Sequence, residues 1–226
     1  MFRRIVFAAV LGGLIAGGIA TAVQAVRAVP LILQAEMFEE AAGKATLQDQ
    51  AAAHDHDEDA WAPADGWERT GSTLLFNLLA GVGFGLLIAA GLALRGQGGW
   101  KAGLVWGVCG YLSFVVAPAL GLPPELPGAE VAPLAPRQIW WAATAAATAG
   151  GLALILVRRG AIGIVLGLAL LALPHLLGAP QPAEHGGIAP AALVREFIVV
   201  VLVTGLVFWL ALGASTGAIY RRLSAA

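Results

Sequence analysis

Two histidines spaced two apart, His54 and His56, sit in an acidic run with Asp55, Asp57, Glu58 and Asp59. In an extended segment alternate side chains point the same way, so the two imidazoles could share one ion. Imidazole combined with carboxylate suits borderline divalent ions such as Co²⁺, Ni²⁺ and Zn²⁺. The plain alternative is a solvated acidic loop. A second group comprises His175 and His185, the latter preceded by Glu184. Gly178, Pro180 and Pro182 lie between these histidines and permit a tight loop that brings them together. Alone, each is more often a hydrogen-bonded interfacial residue than a ligand. With Glu36 upstream, the candidate metal ligands are Glu36, His54, Asp55, His56, Asp57, His175, Glu184 and His185.

The elements that must position them are membrane helices. Of the 226 residues, 59% are hydrophobic and 12% charged, where a soluble domain carries about 25% charged residues. The apolar surplus has to face lipid. Six stretches approach the roughly 20 apolar residues that a spanning helix needs: 5–26, 73–94, 100–120, 139–157, 161–177 and 197–212. They predict an all-α, polytopic bundle of about six spanning helices forming a single membrane domain. The fifth stretch is the weakest, because Pro174 and His175 fall near its end. The first also has a cleavable-signal reading, from Phe2-Arg3-Arg4 and Val23-Gln24-Ala25. Its apolar run exceeds the usual signal core of about 7–15 residues, which favours a span.

Charge gives the orientation. With the N-terminus inside, Arg3, Arg4, Arg95, Lys101, Arg158, Arg159, Arg221 and Arg222 lie inside, and Arg27, Lys44, Arg69, Arg137 and Arg195 outside. All 14 acids and all four histidines then fall outside, where the net charge is −9. Both termini are expected in the cytoplasm. The outer segments are 36–70 (acidic and histidine-bearing), 121–138 (Pro-rich and extended) and 178–195 (with His185). Residues 36–42 could continue the first helix as a short amphipathic turn. Arg69, Arg137 and Arg195 open alternate helices that Arg95, Arg158 and Arg221 close, a pattern that three parallel out-to-in repeat units would give and that alternating topology also requires by itself.

Inside the apolar stretches, small residues recur four apart at Gly13/Gly17, Gly81/Gly85, Gly103/Gly107, Gly163/Gly167 and Gly213/Gly217. Such pairs let helix backbones approach closely in lipid, implying a compact bundle or a tight homo-oligomer. No ionisable residue falls at mid-depth, which argues against a self-contained proton pump. The polar candidates there are Thr73, Asn77, Cys109, Ser113, Thr144 and Thr148. A lone cysteine excludes an internal disulfide. No Walker loop, zinc-protease helix or nucleophile elbow occurs, so no enzyme, tightly bound cofactor or nucleic-acid partner is expected.

Several segments carry a likeness in order along the chain. They are Met1-Phe2-Arg3-Arg4-Ile5-Val6-Phe7-Ala8-Ala9, Gln34-Ala35-Glu36, His54-Asp55-His56 and Trp61-Ala62-Pro63-Ala64-Asp65-Gly66-Trp67-Glu68-Arg69-Thr70. Gly121-Leu122-Pro123-Pro124-Glu125-Leu126-Pro127-Gly128, Arg137-Gln138-Ile139-Trp140-Trp141 and Pro174-His175-Leu176-Leu177-Gly178-Ala179-Pro180 follow. Together they resemble the CbtA family of cobalt transporter subunits. The resemblance implies a multi-pass protein of the bacterial inner membrane, linked to cobalt uptake and cobalamin supply. It also implies a small single-helix, histidine-bearing partner, CbtB, and about five spans where the sequence suggests six.

The resulting expectation is a membrane subunit that admits Co²⁺. The outer loop captures the cation, and His175, His185 and Glu36 relay it to a glycine-lined path. Glu68 and Arg69 form a local pair at the outer end of the second helix. The competing expectation is a non-transporting membrane scaffold or metal sensor that acts with a partner subunit.

Overall fold

The computed structural model describes residues 1–49, 66–158, 160–182 and 186–225. Helix α1 (Phe2–Arg27) breaks at Ala28 and is followed at once by α2 (Val29–Asp49). Pro30 falls in the first turn of α2, where its missing N–H leaves no intrahelical bond unmade. The helices that follow are α3 (Trp67–Leu94), α4 (Trp100–Ala119), α5 (Leu134–Arg158), α6 (Ala161–Leu177) and α7 (Ala191–Ala225). Among the described residues there is no β-strand, only one isolated bridge between Ala129 and Gly187.

Five helices, α1, α3, α4, α5 and α7, are long and apolar enough to cross a membrane. Helix α6 has 17 residues, at the lower limit of about 17–25 for a span. Its Pro174 withholds an N–H from the last turn, and Gly178, at φ 83°, ends it. Ile5, Tyr220 and Leu223 pack against one cluster of Ala8, Ala9 and Ala89, so the two chain ends lie at the same end of the bundle. The α3–α4 turn lies there too, since the Gly99 N–H donates to the Gly217 carbonyl at 2.8 Å. Returning the chain to its starting end requires an even number of passes. Helix α6 supplies the sixth, which reconciles five long spans with six apolar stretches.

The glycine pairs are where the helices touch. A Cβ on Gly13 would come within 2.5 Å of the Gly81 backbone, and one on Gly85 within 2.8 Å of the Ala9 carbonyl oxygen. Position 13 thus meets 81, 17 meets 77 and 9 meets 85, which makes α1 and α3 antiparallel. Gly103 and Gly107 of α4 seat against Gly213, Gly217 and Trp209 of α7 in the same manner. Gly167 of α6 faces Gly151 of α5. Helix α7 also packs on α1, where Thr216 fills the space above Gly12. Every glycine pair singled out in the sequence lies at a helix crossing, so these glycines do not line a passage. The glycine-lined path is corrected on that ground.

Two cores complete the bundle. An aromatic centre brings Phe84, Phe114, Phe208 and Trp209 together, with Phe114 and Trp209 stacked at 5.6 Å between centroids. Trp106 lays its ring against Gly91, so it packs between α3 and α4 as Trp209 packs in the aromatic centre. The second core joins Ala28, Leu31 and Ala35 of α2 to Leu126 of the Pro-rich segment and to Leu193, Phe197 and Val200 of α7. It makes α2 a cap over one end of the bundle. Residues 36–49 are therefore helix rather than open loop, and the Pro-rich segment gives way to α5 at Leu134.

Helix α4 carries a π-helical turn over Leu112–Val116, just ahead of Pro118. Pro118 cannot donate to the carbonyl one turn back and its ring crowds that carbonyl. A widened turn absorbs both effects.

Gly81→Val forces a side chain into the Gly13 backbone. It is expected to cost at least the ~1–3 kcal/mol typical of overpacking, read as a lower melting temperature of the purified chain in detergent. Gly18→Ala, where the space is open, should leave the melting temperature unchanged.

Candidate functional site

The capped end collects Glu36, Glu39 and Glu40 on α2, Glu68 on α3, Glu125 and Glu130 in the Pro-rich segment, and Glu196 on α7. The opposite end carries Arg3, Arg4, Arg95, Lys101, Arg158, Arg221 and Arg222. We refer to these as the acidic and basic ends.

At the acidic end the Arg69 Nη1 donates to the Glu36 Oε1 at 3.0 Å, joining α3 to α2. With 27% and 31% of the side chains exposed, the pair is neither dry nor fully solvated. The pairing of Arg69 therefore reaches across helices to Glu36, beyond the neighbour Glu68 that the sequence suggested. The guanidinium is the ligand that this carboxylate already has, and any other cation would have to compete with it. Arg137 of α5 likewise donates to Glu125, pinning the Pro-rich segment.

Beneath Arg69 lies a cavity of about 240 Å³ between α1, α2 and α3, lined by Thr21, Leu33, Arg69, Thr70 and Thr73 among others. A polar cluster borders it. The Thr21 hydroxyl donates to the Gly17 carbonyl at 2.9 Å, so its oxygen can only accept from Asn77. This fixes the amide: Asn77 Nδ2 donates to Thr21 Oγ1 at 3.0 Å and to Gln24 Oε1 at 2.6 Å. Both amide hydrogens of Asn77 are thereby used within this cluster. Gln24 and Thr21 were missed as functional candidates. The available signal was one carboxamide on each of two consecutive apolar stretches.

His175 sits at the acidic end of α6, half-buried, with its ring edge-on to Trp140 at 6.0 Å. Trp140 also donates its indole N–H at 3.3 Å to the Pro174 carbonyl, which accepts the Gly178 N–H as well. Helices α2 and α6 do not touch, so Glu36 and His175 occupy separate parts of this end. His54, Asp55, His56, Asp57, Glu184 and His185 lie outside the described residues. Among the described residues no three His, Cys, Asp or Glu side chains converge as a metal site. Thr144 and Thr148 are buried on α5 and line neither this cavity nor a larger one at the basic end.

A bundle of apolar helices with one acidic and one basic end is the setting for comparison with known proteins. The family model described as "Probable cobalt transporter subunit (CbtA)" matches residues 2–221. The chain belongs to the CbtA family. Comparison with curated proteins and with solved structures gave no significant match. Membership and the long apolar helices together make this CbtA chain a multi-pass membrane protein of a transport family.

A double-mutant cycle of Gln24→Ala with Asn77→Ala, read by thermal unfolding in detergent, should give a coupling of about 0.6 kcal/mol, up to ~1.7 kcal/mol, the range of interhelical hydrogen bonds in membranes. Additive effects would show that the two carboxamides do not act together.

Proposed function

We propose that this chain is the membrane-spanning subunit of a bacterial cobalt uptake system, with its acidic end outside and both termini in the cytoplasm. The observation that carries the reading is the family match along residues 2–221 of a helical bundle. The charge asymmetry supports the orientation, because basic residues in short loops stay on the cytoplasmic side. An outer face of net −9 would also concentrate divalent cations before any specific contact.

In this reading His54 and His56, with Asp55 and Asp57, collect Co²⁺ from dilute solution. Glu36 then offers a carboxylate at the mouth of the α1–α3 cleft, in exchange for Arg69. Asn77 and Gln24 present neutral oxygens one step deeper. His175, with Glu184 and His185, serves a second position beside α6. Borderline ions accept this mixture of imidazole, carboxylate and carbonyl donors. The bundle carries no Walker loop, so any ATP-driven step belongs to another subunit, and CbtB is the single-helix partner proposed. CbtB and the energy source would together complete the cycle.

Cobalt uptake by cells making this chain and its partner tests the proposal. His54→Ala with His56→Ala should raise the half-saturating cobalt concentration several-fold and leave the maximal rate unchanged. His175→Ala should lower uptake at every concentration. Wild-type uptake by all these variants would overturn the assigned roles. Metal binding without flux, in the presence of the partner, would favour the scaffold or sensor.

A further inference from the structure

The basic end holds a second cavity, of about 480 Å³, wedged between α3, α4 and α5. Its origin lies in how α5 is held. Helix α5 packs closely on α6 and meets α4 mainly around the π-helical turn, and it does not touch α3. The α5–α6 hairpin therefore stands away from the other helices over the half nearer the basic end. The opening is lined by Leu87 and Ile88 of α3, Val105 and Trp106 of α4, and Leu152 and Leu156 of α5.

Three properties define what fits there. The lining contains a single charge, Arg95, at the mouth, with Gln97 beside it. Arg95 is exposed, and it makes no ion pair among the described residues. The inner limit is formed by Ser113, Phe114 and Trp209, so charge is confined to one end. The depth is also fixed. From Val105 to Phe114 along α4 is about 14 Å at ~1.5 Å per residue. That is about half the ~30 Å hydrocarbon core. A spanning helix of a partner needs the full thickness, and here the contacts of α5 with the π-helical turn and the end of α4 close the far half. A chain from one leaflet needs only what is open. The volume falls within the ~300–1,000 Å³ of small-molecule sites.

We infer that this wedge is a binding site for an anionic glycerophospholipid of the leaflet at the basic end, with one acyl chain between α3, α4 and α5 and its phosphate on Arg95. Basic pockets between membrane helices recognise anionic head groups in this manner. The site is separate from the cleft at the acidic end and does not rest on the transport reading.

Native mass spectrometry of the purified full chain in detergent tests it, with phosphatidylglycerol and phosphatidylcholine of identical acyl chains as probes. The wild type should retain one phosphatidylglycerol in preference to phosphatidylcholine. Arg95→Gln should lower that preference about fivefold, the equivalent of the ~1 kcal/mol contributed by one basic side chain at a membrane surface. Arg222→Gln, at the same end but outside the wedge, should leave it unchanged. Ala153→Phe, which fills the wedge, should reduce retention of both lipids. Should that variant not fold, Arg95→Gln against Arg222→Gln decides alone. Equal retention of the two lipids by the wild type, or equal effects of the two arginine changes, would overturn the site. So would loss of partner association in Ala153→Phe with lipid retention intact, which would assign the wedge to a protein.

Discussion

Backbone contact through glycine is the constraint on which the rest of this molecule depends. Lipid tails are as apolar as leucine, so burial alone gives membrane helices little reason to associate. Close approach is what remains, and it is available only where no Cβ intervenes. Gly13 with Gly81 and Gly103 with Gly213 set two antiparallel crossings, and α7 unites them through Thr216 on Gly12. With α1, α3, α4 and α7 locked in this way, the rings of Phe84, Phe114 and Trp209 pack together as the aromatic centre between them. The α5–α6 hairpin has its own Gly151–Gly167 contact and joins the rest mainly at the π-helical turn. One rigid unit and one more loosely joined unit follow from where glycines do and do not face each other.

Polar chemistry is pushed to the ends by the same economy. Within the bundle, Asn77 is accommodated because Thr21 and Gln24 each accept one of its hydrogens. An amide without such partners would carry a desolvation cost in hydrocarbon. Charges gather instead at the two interfaces, with opposite signs. The Glu36–Arg69 pair sits where these regimes meet, at the top of the α1–α3 cleft. Its position makes it the natural junction between an acidic vestibule and a bundle without mid-depth charge.

Much of this was legible beforehand, for physical reasons. Apolar runs of spanning length mark their helices directly, and α1 and α3 lie where the hydropathy places them. Glycines four apart announce a crossing, although which helix meets which is a matter of tertiary structure. Helix α2 was underestimated because its apolar face, through Leu31 and Ala35, is written for the Pro-rich segment and α7 rather than for lipid. The bond between Gln24 and Asn77 spans 53 positions, and no local pattern encodes it. The wedge at Arg95 was invisible for a related reason: it is a space left between helices, where the α5–α6 hairpin stands away from α3. The segment with His54 and His56 was conspicuous in composition, and it lies outside the described residues.

The central claim is that this chain carries cobalt inward from its acidic face. Co²⁺ flux into proteoliposomes holding the chain together with its partner subunit, in one orientation, measures it most directly. The account predicts entry when the acidic end faces the added metal, at a rate well above that of Mg²⁺ and dependent on this chain. Flux that is unchanged when this chain is omitted, or no cobalt entry with both subunits present and energised, would contradict it.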